Sequence, residues 1–113
     1  DSLRNAGTRE AHAYTSYGFY LINEHGEFRE GLDYLYRAVD AKPDYAQNWI
    51  NLIKVLVAMH RADEAEQQLG LFRAAGVPGT SERDYNRLAN LIDEVRIKPT
   101  RQVTSRTEVE NLE

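Results

Sequence analysis

The chain has 113 residues, 42% hydrophobic and 28% charged, with a formal net charge of −4 and no cysteine. That balance fits one globular domain rather than a disordered or membrane-embedded chain, and it excludes disulfides and thiol chemistry. The acidic excess (pI about 5.4) comes with no basic stripe, which argues against nucleic acid as a partner. No apolar run approaches the ~20 residues of a membrane span and no signal-peptide pattern opens the chain, so no membrane insertion is expected. The sequence begins at Asp1 without an initiator Met, which reads as part of a larger protein. Its location is left open between a soluble cytoplasmic and a periplasmic domain.

Five helices are expected. The first runs from about Thr8 to Glu24, where Ala11, Tyr14, Tyr17, Gly18, Leu21 and Ile22 recur at three- and four-residue spacing. Tyr14 and Tyr17 are expected in the core, and Tyr20 is expected to face a groove with Phe19. The second helix, about Glu27 to Ala41, carries Phe28, Gly31, Leu35 and Ala38 and stops before Pro43. Asp44 and Gln47 have capping-box spacing for a third helix, about Tyr45 to Met59, with Trp49, Leu52, Ile53 and Leu56 on its stripe. The fourth, about Ala62 to Ala75, uses Ala65, Leu69 and Phe72 and ends at Gly76, a residue suited to a left-handed C-terminal cap. Thr80 or Ser81 caps a fifth helix bearing Tyr85, Leu88, Ala89 and Ile92, and Lys98-Pro99 ends it. From Thr100 onward apolar periodicity is lost, so 98–113 reads as a flexible tail. Short links between the helices require antiparallel neighbours.

The chain repeats itself. Moved by 34 residues, Gly26 falls on His60, Phe28 on Ala62, Gly31 on Ala65, Leu35 on Leu69 and Ala38 on Phe72. The first-helix series is offset by 35 instead: Tyr14 on Trp49, Tyr17 on Leu52. One extra residue therefore belongs to the turn near 23–26. A period of about 34 residues is that of a helix pair that stacks on copies of itself.

These residues resemble the tetratricopeptide repeat. The second copy reads Trp49, Leu52, Ile53, Leu56, Ala62, Ala65, Leu69, Phe72 and Pro78; the first reads Tyr14, Tyr17, Gly18, Leu21, Phe28, Gly31, Leu35, Ala38 and Pro43. The resemblance implies an all-α fold of antiparallel helix-pair repeats, an α-solenoid with a tetratricopeptide-like superhelix. It contains repeats over 8–43 and 44–79, a capping helix over 80–97 and a tail over 98–113. Gly31 and Ala65 are the small residues expected where two helices cross. Ile53 in a small slot and Phe72 in an Ala slot depart from the family pattern and imply altered helix spacing.

The same resemblance implies a protein–protein interaction module that receives a partner segment on the concave groove formed by its first helices. The groove positions are Thr15, Phe19, Asn51, Lys54, Arg83 and Arg87. Asn51, Arg83 and Arg87 match positions that hold a partner's C-terminal carboxylate in one subclass, and Arg offers a carboxylate its planar fork of donors. Thr15 and Phe19 stand where that subclass has Lys and Asn, so the expectation is a partial site for an acidic or C-terminal peptide. An alternative is a structural spacer or self-associating unit attached to a larger enzyme or membrane protein.

No catalytic constellation emerges. His12, His25 and His60 lack further ligands at metal spacing, and there is no nucleophile elbow or phosphate-binding glycine loop. Acid clusters such as Asp63, Glu64 and Glu66 fall in a first helical turn, where the helix dipole favours them. No enzyme activity, cofactor or metal is expected.

Overall fold

A computed structural model describes residues 2–97, and side chains from Gly7 onward. It contains α1 (Ser2–His25), α2 (Phe28–Ala41), α3 (Ala46–Ala58), α4 (Ala62–Ala75) and α5 (Glu82–Ile97). Among the described residues there is no strand, so the fold is all-α. The tail expected over 98–113 lies outside the described residues.

Helix α1 packs on α2, α2 on α3, α3 on α4 and α4 on α5, and α3 also touches α5. This is a stack of helix pairs in which the first helix of each new unit lies beside the unit before it. α1 starts about six residues earlier than the apolar stripe suggested: the stripe begins at Ala11, but no proline interrupts Ser2–Thr8, and the helix runs through Gly7.

The core runs through the stack. Leu35, Leu52, Ile53, Leu56, Phe72 and Ile92 are all less than 2% exposed. The two departures from the repeat pattern fall here. Phe72, in the slot held by Ala38 in the preceding unit, stacks on Trp49 with ring centroids 5.5 Å apart and meets Tyr85 edge-on at 5.1 Å. One large ring thus joins α3, α4 and α5, and such aromatic pairs contribute about 0.5–1.5 kcal/mol each beyond their buried area.

Close approach is confined to the first pair. A Cβ on Gly31 would stand 2.7 Å from the Gly18 carbonyl oxygen and 2.5 Å from Ile22 Cγ1, and one on Gly18 would stand 2.9 Å from the Gly31 carbonyl oxygen. Two facing glycines let α1 and α2 touch backbone to backbone. Ala65, at the equivalent position of the second pair, is fully buried.

The turns explain the split between 34 and 35. Gly26 and His60 both adopt a left-handed backbone, at φ 64° and 60°. After α1, the Glu27 amide donates to the carbonyl six residues back, Leu21; after α3, the Arg61 amide donates to the carbonyl five residues back, Leu56. The first turn holds one more residue, so its preceding helix is shifted by one relative to its second helix. His60 adopts its conformation at a cost that glycine avoids.

At the start of α3, Tyr45 occupies the N-cap with no side-chain hydrogen bond of its own. Asp44 pairs with Lys42 Nζ at 2.8 Å, and Gln47 Nε2 donates to Asn51 Oδ1 at 2.9 Å. Buried Asn48 fastens this end of the helix: its Nδ2 donates to the carbonyl oxygens of Ala38 at 3.3 Å and Lys42 at 3.2 Å. Trp49 Nε1 adds a bond to the Pro43 carbonyl at 2.8 Å. Of the two candidates before α5, Ser81 makes the cap contacts. Its amide donates to Asp84 Oδ2 at 2.9 Å, which together with the Ser81 hydroxyl holds that carboxyl below its ordinary range. Gly76 is left-handed at φ 59°, as expected for the C-cap of α4.

Side-chain bridges fasten successive pairs. The Tyr36 phenol on α2 donates to Glu64 on α4, and burial first, then that bond to a carboxylate, pushes its pKa well above the ordinary phenol value. Arg96 near the end of α5 reaches Asp63 at 2.8 Å and Glu66 at 2.6 Å at the start of α4.

Candidate protein-binding site

Helix α3 lies beside α5 and shares a hollow with α1. Its side chains Gln47, Asn51 and Lys54 recur at three- and four-residue spacing and form a polar ridge between two hollows. The hollow between α3 and α5, about 480 Å³, is lined by Lys54 and Ile50 from α3 and by Asp84, Arg87, Leu91 and Glu94 from α5. The hollow between α1 and α3 is larger, about 750 Å³. Thr15, His12 and Arg9 line it from α1, Asn51 from α3, and Lys42 and Tyr45 from the link.

The six residues expected in the groove separate into groups. Lys54 and Arg87 meet across the α3–α5 hollow. Thr15 and Asn51 line the α1–α3 hollow, and Asn51 also accepts the bond from Gln47 that stiffens the ridge. Phe19 lines neither hollow; it is partly buried against the core. Arg83 is exposed on α5, one turn before Arg87, and lines neither hollow. Tyr20, expected beside Phe19, lies half-exposed elsewhere: its ring stacks on Tyr17, and its hydroxyl is bonded to His25 Nε2 at 3.0 Å.

Charge is unevenly distributed over this surface. The α1–α3 hollow has Arg9, Lys42 and His12 along its rim and no carboxylate among its lining residues. In the α3–α5 hollow Lys54 and Arg87 are balanced by Asp84 and Glu94. Arg9, Lys42 and Tyr45 went unnoticed in the sequence because nothing in their local pattern marks them. They join the surface only because the end of α2 and the long α1 bring them to the mouth of the hollow.

Among the described residues no group of three or more His, Asp or Glu could hold a metal ion. No helix among them is long and apolar enough to cross a membrane.

The helix pairing, facing small residues and equivalent left-handed turns define a helical repeat of the stacked-pair class. Residues 23–76, from the end of α1 to the C-cap of α4, match the family model of the tetratricopeptide repeat. No curated protein and no solved structure matches the chain. Tetratricopeptide repeats generally mediate protein–protein interaction and are typically non-catalytic scaffolds.

Proposed function

We propose that the surface formed by α1, α3 and α5 docks an acidic segment of a protein partner, with two units, 8–43 and 44–79, and a closing helix, 80–97, forming the array. The observation that carries this reading is the pair of hollows on either side of the Gln47–Asn51–Lys54 ridge, lined by Arg9, Lys42, Lys54 and Arg87, with Lys42 paired to Asp44 and with Asp84 and Glu94 beside Lys54 and Arg87. An extended peptide crossing the ridge would place carboxylates beside Lys54 and Arg87 while its apolar groups enter the larger hollow. Gln47 and Asn51 supply amide donors and acceptors to its backbone.

Exposed charge pairs contribute about 0.2–1 kcal/mol each. Reversing two of them replaces two attractions by two repulsions, a change of about 1–3 kcal/mol or roughly 5- to 150-fold in affinity. The test is selection of peptides from a displayed random library on the wild-type chain. Enriched sequences are expected to be acidic and to bind the double variant Lys54→Glu/Arg87→Glu at least about fivefold more weakly. Neutral or basic enriched sequences, or equal binding to the double variant, would sink the assignment.

A further inference from the structure

The two ends of the helix stack are chemically unlike. At the α5 end the exposed positions include Arg83, Asn86, Asn90, Asp93 and Glu94, with Ile97 in the last turn, while Glu82 and Arg96 pair back onto α4. At the α1 end, Tyr17 and Tyr20 are 46% and 49% exposed. Their rings stack at 5.9 Å, Tyr34 of α2 packs edge-on against Tyr17 at 4.9 Å and tilted against Tyr14 at 6.0 Å, and the Arg37 guanidinium lies 4.8 Å from the Tyr34 ring centre. The result is a continuous aromatic ledge across α1 and α2.

The internal repeat identifies what such a face receives. With the 35-residue offset of the first helices, Tyr14, Tyr17 and Tyr20 correspond to Trp49, Leu52 and Val55 of α3. Those three are 7%, 0% and 8% exposed. α3 has α2 of the preceding pair packed on it, whereas α1 has no such helix among the described residues. Helix α2 presents Leu32, Leu35 and Val39 to the core it shares with α3. The ledge therefore continues the α2–α3 interface one unit further along the stack.

The covering helix does not arrive as α2 arrives at α3. The residue equivalent to Ala46, the first of α3, is Ala11, and α1 continues as helix through the nine residues Ser2–Glu10 before it. Continuous helix occupies the place where the link through Lys42 and Tyr45 joins α2 to α3. A second copy in a two-fold arrangement is disfavoured. Antiparallel pairing of α1 with α1 about Tyr17 sets exposed Glu10 of one copy, seven residues before, against Glu24 of the other, seven residues after, and like charges in that position repel.

We infer that the Tyr14–Tyr17–Tyr20–Tyr34 ledge is a second docking surface, separate from the groove, that takes an amphipathic helix of another protein bearing an aliphatic stripe like that of α2. Tyrosine suits the task, since its ring supplies contact area while its hydroxyl tolerates water when the site is empty.

The probe is a labelled synthetic peptide of residues 27–43, the covering helix itself, titrated against the whole chain by fluorescence anisotropy. Saturable binding is expected. It should weaken at least tenfold in Tyr17→Glu and in Tyr20→Lys, persist in Tyr17→Phe, and remain unchanged in Lys54→Glu. Both charged variants replace half-exposed side chains, and circular dichroism of each should show wild-type helicity. Absence of binding, or binding indifferent to the two tyrosine variants, overturns the proposal. So does concentration-dependent dimerisation of the wild type that Tyr17→Glu abolishes in sedimentation, because that would assign the ledge to a second copy.

Discussion

Replacing Gly31 by alanine sets two effects of opposite sign against each other, and the structure decides between them. Within a helix, alanine is favoured over glycine by about 1 kcal/mol. At Gly31, however, the new methyl carbon would stand 2.5 Å from Ile22 Cγ1 and 2.7 Å from the Gly18 carbonyl oxygen. The isoleucine can turn aside, but the carbonyl belongs to the backbone of α1 and moves only if the two helices separate. Overpacking of this kind costs about 1–3 kcal/mol, and separation of α1 from α2 places Gly31→Ala at the upper end. The net expectation is a loss of about 1–2 kcal/mol, or a fall in Tm of roughly 4–16 °C for a domain of this size. Gly70 on α4 is the matched control: nothing lies within 4 Å of its absent Cβ, so Gly70→Ala should raise stability by about 0.5–1 kcal/mol. Thermal unfolding followed by circular dichroism measures both. If Gly31→Ala stabilises the chain as Gly70→Ala does, the backbone contact between α1 and α2 is wrong.

Other substitutions probe separate links of the same structure. Phe72→Ala removes a fully buried ring that bridges Trp49 and Tyr85; a loss of about 3–5 kcal/mol is expected in urea unfolding. His60→Gly relieves a left-handed non-glycine residue at φ 60° and should stabilise by about 0.5–1 kcal/mol, net of the greater freedom of glycine in the unfolded chain. Asn48→Ala deprives the Ala38 and Lys42 carbonyls of a donor and should cost about 1–3 kcal/mol. The Asp84 carboxyl is held below its ordinary range by the Ser81 amide. Its contribution is therefore present above the unfolded-state pKa and disappears as pH falls through the lower folded-state value. In Asp84→Asn that acid-side loss should vanish from the stability-versus-pH profile.

The fold was legible because its signals were local and repeated. Apolar spacing located all five helices, Gly76 marked the end of α4, and the one-residue discrepancy between the Tyr14–Trp49 and Gly31–Ala65 offsets foretold the longer turn at Gly26. The surface was legible only in part. Lys54 and Arg87 line one hollow, but Phe19 turned to the core and Arg83 stayed outside. Spacing places a residue on a helix and leaves open which neighbours that helix has. Tyr17 shows the limit: it sits at the position of buried Leu52, yet it is 46% exposed because, among the described residues, no helix packs on α1 as α2 packs on α3. The same limit hid Asn48, whose partners are backbone carbonyls at the end of the previous helix.

Docking of a partner along the ridge of α3 and its two flanking hollows is read out by titrating the selected acidic peptide while following amide chemical shifts of the labelled chain. Shifts are expected at Gln47, Asn51, Lys54 and Arg87, with exposed Gln67 and Leu71 of α4 unmoved. Shifts clustered on α4, with the α3 ridge silent, would contradict this docking.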